Sequence, residues 1–539
     1  MNKGNNLSSA TRAVPIYATV AVMTAHNQEG DLMSEPLNPN QQTAAQGQPM
    51  RKVVIAGGGT AGWMTAAALA KLMGKNLHVV LVESDDIGTV GVGEATIPTL
   101  HIFHRLLGLN EQEVMAATNA TFKLGISFEN WYQQGEKYLH SFGFLGKDCW
   151  ACGFQHFWQK GRQLGIASEI GDYCVEHLAA RQNRFAVLAQ QDLNHAYHMD
   201  ATLYGQYLRK LAQQHGAQRI EGKIAEVEQW PQGDIRALVL QSGEKIEGDL
   251  FIDCTGFRAL LIEQTLNSGF EDWSHYLPCD SAVAVQTKTT APALSYTRAI
   301  AHDAGWQWKI PLQSRVGNGL VYCSKFISDD AAKALLLANV EGECLTEPRL
   351  IKFRTGTRRQ HWQKNCIAIG LSGGFLEPLE STSIHLIQRS IIRLLQMFPS
   401  QGICSADVAE FNQQTQTEML NIRDFIILHY KATARQDSRF WRYCRDMAVP
   451  ASLEHRIELF RQSGKVYKFA QELFGESSWI QVMLGQGLAP SQYHPIVDSM
   501  SEAELADFLA TIAARVKKTV QQFPPQQDFI QYYCKAALD

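Results

Sequence analysis

The sequence predicts an α/β fold: a Rossmann-like dinucleotide-binding domain with inserted elements, followed by a mostly helical C-terminal part. Three observations carry this prediction. A strand, a glycine turn, a helix and a second strand succeed one another over residues 52–83, strands feeding glycine turns recur as far as about residue 400, and amphipathic helices replace them beyond it.

The first unit is built from Lys52-Val-Val-Ile-Ala56, a β-branched apolar run too short for a helix, then Gly57-Gly-Gly-Thr-Ala-Gly62, then a helical pattern from Trp63 to Leu72, then His78-Val-Val-Leu-Val82 ending in Glu83. Gly57, Gly59 and Gly62 stand at the spacing that lets a backbone approach a pyrophosphate at a helix N-terminus, where Thr60 and Ala61 also lie. Glu83 follows Gly62 by 21 residues, the distance at which a carboxylate can bind ribose hydroxyls. The loop alone does not separate FAD from NAD. A later strand, Asp249-Leu-Phe-Ile-Asp253, running into Cys254-Thr-Gly256, favours FAD, because flavoproteins of this build return to the dinucleotide late in the chain. Another, Cys366-Ile-Ala-Ile-Gly370, leads to a helix with Ile384, Ile387, Ile391 and Leu395 on one face. Near the C-terminus, Ser501-Glu-Ala-Glu504 has capping-box spacing before Leu505, Leu509, Ile512 and Val516.

Composition narrows the partners. The chain has 539 residues, 45% apolar and 19% charged, with 49 Lys+Arg against 53 Asp+Glu. No basic region stands out, which argues against nucleic acid. Eleven cysteines in this length are too sparse for a disulfide framework and point to reduced thiols and a cytoplasmic location. The apolar stretch Ala13 to Ala25 contains Pro15 and is too short to span a membrane. Residues 1–50 read as a disordered leader, or as a start placed ahead of Met33 or Met50.

Several motifs remain. Gly91-Val-Gly-Glu-Ala-Thr-Ile-Pro98 has to be a specific loop. Lys123 lies in the apolar Thr121-Phe-Lys-Leu-Gly-Ile126, where burial would depress its pKa; taken alone it reads as a strand lysine reaching to water. Trp306-x-Trp308-x-Ile-Pro311 puts two indoles on one side of an extended segment, which a plain core would also explain. Phe375-Leu-Glu-Pro-Leu-Glu-Ser-Thr-Ser383 places Glu377 and Glu380 ahead of a helix starting near Ser381, and its hydroxyls could simply cap that helix. Cys149-Trp-Ala-Cys152 has no second pair nearby and reads as structural thiols, so no metal is expected.

Together these motifs resemble the flavin-dependent halogenases of the tryptophan halogenase family. The match is carried by Gly57-Gly-Gly-Thr-Ala-Gly-Trp-Met64, Gly91-Val-Gly-Glu-Ala-Thr96, Phe122-Lys123, Trp306-x-Trp308-x-Ile-Pro311 and Phe375-Leu-Glu-Pro-Leu-Glu-Ser-Thr382, with weaker agreement at Arg423-Asp-Phe425, His429-Tyr430 and Phe440-Trp441. The resemblance implies an FAD-binding fold of the flavin monooxygenase type. Residues 51–400 would form the FAD-binding and halogenation core and residues 401–539 a helical substrate-side region.

It also implies an activity. Reduced FAD from a separate flavin reductase, with oxygen, would convert bound chloride or bromide to hypohalous acid, which Lys123 holds against an electron-rich ring. By the same resemblance Glu380 polarises the oxidant and takes the ring proton, Thr382 and Ser383 hold the halide, and Ala95, Ile224, Leu371 and Ile384 join the glycine loop around the flavin. His140 and Phe142 line the substrate pocket, and Trp306 and Trp308 wall the flavin from the substrate. A helix N-terminus is independently a suitable anion site.

There are departures. Ser383 stands where the family often has Gly, and Thr89 where an Arg often precedes the Gly91 loop. Phe469 to Pro490 does not reproduce the aromatic and acidic clamp for the amino acid part of tryptophan, so indole or a simple derivative is the expected substrate. A homodimer is compatible with this reading, and neither nucleic acid nor membrane is an expected partner. The rivals are a flavin-dependent aromatic monooxygenase, which has no use for Lys123, and an inactive FAD-binding protein, against which Lys123 and Glu380 together speak.

Overall fold

Strand β1 (Lys52–Ala56) lies at the heart of a parallel sheet, between β2 (His78–Glu83) and the strand Leu250–Asp253. The order across the sheet is Trp362–Gln363, Cys366–Ala368, Leu250–Asp253, β1, β2 and Gln218–Glu221, with only the outermost Trp362–Gln363 antiparallel. Val53 and Ile55 pack into one apolar cluster and Val54 and Ala56 into another, so both faces of the sheet are covered. That explains why β1 reads as a continuous apolar run rather than an alternating one. The computed structural model describes residues 50–88, 94–187, 193–469 and 471–536. The leader to residue 49 and residues 89–93, with Thr89 and the start of the Gly91 segment, fall outside the described residues; the rest of that segment, expected to be a loop, opens with a short strand at Glu94–Ala95.

Helix α1 (Thr60–Met73) starts three residues earlier than the apolar pattern predicts, because the end of the glycine turn itself forms the first helical turn. Its Ala66, Ala67 and Ala68 are fully buried, which lets it pack closely against the helix Ala201–Gln214. The turns after β1, β2, Leu250–Asp253 and Cys366–Ala368 all leave the carboxyl edge of the sheet, the edge at which such sheets bind ligands.

The apolar segment around Lys123 is two strands, not one. Strand β4 (Thr121–Lys123) joins a small sheet with β3 (Glu94–Ala95) and β7 (Ala196–Met199), while β5 (Gly125–Glu129) and β6 (Lys137–Ser141) enter a seven-stranded sheet. Leu124 is the joint: its N–H donates to the carbonyl of Ser295 and its carbonyl accepts from Phe142. The seven-stranded sheet also contains Gly305–Pro311, which carries Trp306 and Trp308. Between β3 and β4 run two short helices, α2 (Leu100–Leu106) and α3 (Glu111–Ala117).

Among the described residues no strand follows Gly374–Phe375. The helices Ser383–Gln396, Ser405–Lys431, Arg439–Asp446, Ala451–Ser463, Glu476–Gly485 and Glu502–Gln521 take over, the last with its capping box formed as the spacing predicts. One apolar cluster joins Trp306 and Trp308 to Phe425, Tyr430, Trp441 and Trp479, so these helices share a core with the seven-stranded sheet. No helix among the described residues is long and apolar enough to cross a membrane.

Candidate active site

The glycine turn divides its work. A Cβ at Gly57, whose φ is +107°, would lie 2.3 Å from the carbonyl oxygen of Cys254, and one at Gly62 would lie 1.9 Å from that of Gly57. Both glycines therefore serve the packing of the turn itself. At Gly59 a Cβ would meet nothing within 4 Å, so this position borders open space at the N-terminus of α1, as a dinucleotide cradle requires. Glu83 lies against the turn and its Oε1 accepts from Arg219 Nε at 2.6 Å. Asp253 is fully buried and is consumed by the backbone, accepting from the N–H groups of Thr255, Leu261 and Ile262; it shapes its turn rather than facing a ligand. Of the other expected flavin contacts, Leu371 lies in the short turn Gly370–Ser372, Ile384 is buried near the start of the helix Ser383–Gln396, Ala95 ends β3, and Ile224 opens the strand Ile224–Gln229.

A second constellation lies where β4 meets the turn before the helix Ser383–Gln396. Lys123 is completely buried; its Nζ donates to the carbonyl of Thr96 at 3.0 Å and to Ser381 Oγ at 2.8 Å. Burial drives its pKa down to about 7, against the pull of the nearby Glu380 carboxylate. Glu380 is equally buried and is gripped by two imidazoles, His140 Nδ1 donating at 3.0 Å and His429 Nε2 lying 2.8 Å away. Burial alone would raise this carboxyl, but His140 and His429 outweigh it and hold it down to about 2. The chain reverses at Ser381, which takes a left-handed φ of 60°, and this turn presents the Ser381 hydroxyl to the lysine. Thr382 occupies the N-cap position without a side-chain hydrogen bond to the helix, so the expected hydroxyl cap does not form, and Ser383 begins the helix two residues after the expected start.

Glu377, three residues before Glu380, has the opposite character. Trp306 Nε1 donates to it at 3.0 Å and Tyr430 Oη at 2.5 Å, yet burial still raises its pKa to about 7. Trp306 and Trp308 are both buried with ring centroids 6.1 Å apart. A cavity of about 680 Å³ has His140 and Phe142 in its wall, while Trp306 and Trp308, expected beside them in the pocket, are not among its lining residues and pack in the core. His140 is the residue that holds Glu380, and the Phe142 ring lies 5.3 Å from Lys123 Nζ, so the cavity wall backs onto the buried pair. Phe474, stacked on Phe425 at 3.9 Å, lines it from the C-terminal segment, and Glu476 nearby accepts from the N–H of Lys468.

A profile of the tryptophan halogenase family matches residues 52–502. The chain belongs to the tryptophan halogenase family. It is 35% identical to tryptophan 6-halogenase SttH of Streptomyces toxytricini, over 89% of this chain and 97% of that protein. Among solved structures, a flavin-dependent halogenase from Xanthomonas campestris is 56% identical with a TM-score of 0.90, covering 91% of this chain and all 100% of that one. The flavin-dependent halogenase BrvH from Brevundimonas sp. BAL3 is 45% identical with a TM-score of 0.86, over 90% of this chain and 99% of its own. The protein is therefore a flavin-dependent halogenase of aromatic rings, an activity that takes a flavin, a halide and a separate flavin reductase.

Seen as a halogenase, the chain brings Lys123, Glu380, His140 and Phe142 together from strands and a turn far apart in sequence. His429 and Phe474 complete the surroundings. His429 was legible only as one half of a weakly matching pair, and Phe474 lies in the segment that reads as lacking an aromatic clamp; a signal for His429 exists in its four-residue spacing from Phe425, whose carbonyl accepts from Nδ1. Cys149 and Cys152 face each other across a two-residue turn in which Trp150 and Ala151 have positive φ; both thiols are free, and burial pushes that of Cys152 up to about 11.

Proposed function

We propose that this halogenase uses reduced FAD, oxygen and chloride or bromide to halogenate an electron-rich ring of the indole type, with Lys123 holding hypohalous acid against the ring and Glu380 serving the ring's charge and proton. The observation that carries this reading is the fully buried Lys123, bonded to Ser381 beside the histidine-gripped Glu380 behind the wall of a cavity. When bound, the flavin supplies the oxidation of the halide. The chain's residues do the rest: Gly57 and Gly62 let the turn form, Gly59 and Glu83 would face the dinucleotide, and Thr382 and Ser383 offer the anion a helix N-terminus.

In the halogen transfer a carbon–halogen bond forms and the oxygen of hypohalous acid leaves as water. Lys123 suits the donor role, since an ammonium near pKa 7 releases its proton to that oxygen far more readily than an exposed lysine does. Glu380, held anionic at neutral pH, faces the positive charge that grows on the ring. Its weak basicity suffices, because a protonated ring carbon is much more acidic than a carboxylic acid. Trp306 and Trp308, buried in the core with Trp306 bonded to Glu377, would wall the flavin from the ring.

The same geometry favours an indole. His140 donates through Nδ1 to Glu380, and its Nε2 is buried without a protein partner, leaving a lone pair for a ring N–H. Phe142 offers an aromatic wall. The test is turnover with a flavin reductase, FAD and either halide, with indole and free tryptophan present together. Halide-dependent product with indole preferred supports the reading. A preference for tryptophan overturns the substrate class, and hydroxylated product without halide overturns the reaction.

A further inference from the structure

Beside β7, three side chains from distant parts of the chain converge: His101 of α2, Glu111 at the start of α3, and His195 just before β7. Their candidate ligand atoms all lie within 4.8 Å of one another, with His195 Nε2 3.0 Å and His101 Nδ1 3.9 Å from Glu111 Oε1. None of them belongs to the halogenation site. We propose that His101, Glu111 and His195 form a binding site for a divalent d-block cation of the zinc class.

The argument is a proton count. His101 Nε2 lies 2.8 Å from the carbonyl of His195, and His195 Nδ1 lies 2.9 Å from the carbonyl of Leu193. A carbonyl only accepts, so each ring in its neutral form commits its N–H outward and turns a lone pair, Nδ1 of His101 and Nε2 of His195, toward Glu111. Three acceptor atoms thus meet. The hydrogen available to them is that of the Tyr197 hydroxyl, 2.9 Å from His101 Nδ1 and 2.5 Å from Glu111 Oε1, since Tyr533 donates to the other carboxylate oxygen at 2.8 Å. His195 Nε2 and Glu111 Oε1 face each other at 3.0 Å, a contact that either a second proton on His195 or a cation satisfies. A cation between them resolves the conflict.

The donor set fits that cation. Two imidazole nitrogens and a carboxylate oxygen suit zinc, whose tetrahedral ligands lie about 3.3 Å from one another, inside the spread seen here. Fixing each ligating ring by a hydrogen bond from its second nitrogen to a backbone carbonyl is the usual support of such sites. Tyr197 stands within reach as a fourth oxygen. The three side chains are between 14% and 26% exposed, so the cation has a route in. Bound there, it would tie α2, α3 and β7 together, and β7 pairs at Ala196 with Lys123 itself.

The full-length protein, purified without a histidine tag and dialysed against EDTA, is titrated with zinc by calorimetry and with cobalt(II) by visible absorption. One equivalent of zinc is expected, with cobalt d–d bands that zinc abolishes and a melting temperature that EDTA lowers. Glu111→Gln and His195→Asn should remove the bands, and Tyr533→Phe should weaken zinc binding by about 10-fold. Absence of saturable binding by the folded wild-type protein overturns the proposal, leaving a proton-bridged His195–Glu111 pair. Undiminished binding in both variants overturns it as well, since the metal is then held elsewhere.

Discussion

The glycine cradle and the lysine–glutamate chamber lie in one molecule but are built on opposite terms. In the cradle every special residue answers to its neighbours within one βαβ unit or to a single close backbone: Gly57 avoids the carbonyl of Cys254, Gly62 avoids that of Gly57, and Gly59 faces open space. In the chamber a lysine and a glutamate are removed from water altogether and are stabilised by partners as much as 258 residues away. The cradle is cheap in free energy, while the chamber costs stability and is worth keeping only for what it does.

The largest effect should come from Lys123→Met. Halogenation should drop by about 10²–10⁴-fold while reduced flavin and oxygen are still consumed, because the lysine acts after the halide is oxidised. Product formation near the wild-type rate would refute its role. The same variant should be more stable than the wild type at pH 7 by about 1–3 kcal/mol, since a buried amine is removed. The sign follows from protons. In the unfolded chain the lysine holds its proton up to the ordinary 10.5, and in the folded chain only up to about 7, so wild-type stability rises with pH between these values and the gap to the methionine variant closes.

Next comes the cradle. Gly59→Leu should abolish flavin binding with the circular dichroism spectrum and melting temperature retained, because nothing in the chain lies within 4 Å of the new Cβ. Gly57→Ala should instead lower the melting temperature, its Cβ striking the Cys254 carbonyl at a left-handed φ. If both variants lost stability equally, the division of labour in the turn would be wrong. Glu380→Gln should slow halogenation by about 10–100-fold, less than loss of the lysine, since the oxidant is still held; single-turnover measurement with preloaded reduced flavin checks this.

The smallest effect concerns Glu377. Its pKa is about 7 folded against the ordinary 4.5, so the native state keeps a proton that the unfolded chain has released between these values, and stability falls as pH rises through that window. Glu377→Gln, which keeps an acceptor for Trp306 and Tyr430, should flatten the profile and stabilise the protein at pH 8 by about 1–2 kcal/mol. Melting temperatures from pH 5 to 8 decide it; parallel profiles would mean that Glu377 is charged throughout.

What could be read without a structure follows this division. The runs Lys52–Ala56 and His78–Glu83, the glycines between them, the helix beginning near Ser383 and the capping box at Ser501 were all legible, because each depends on periodicity or spacing within a dozen or so residues. Lys123 stood out by its apolar neighbours, which a lysine reaching to water would also explain, and Glu380 took its role only from the motif resemblance. The break at Leu124, the grip of His140 and His429 on Glu380, the use of Asp253 by its own turn and the meeting of His101, Glu111 and His195 were decided by tertiary structure alone. Local sequence sets backbone conformation, whose energies act between near neighbours. Desolvation and the pairing of buried charges act between groups that only the folded chain brings within a few ångströms, and no spacing along the sequence encodes that distance.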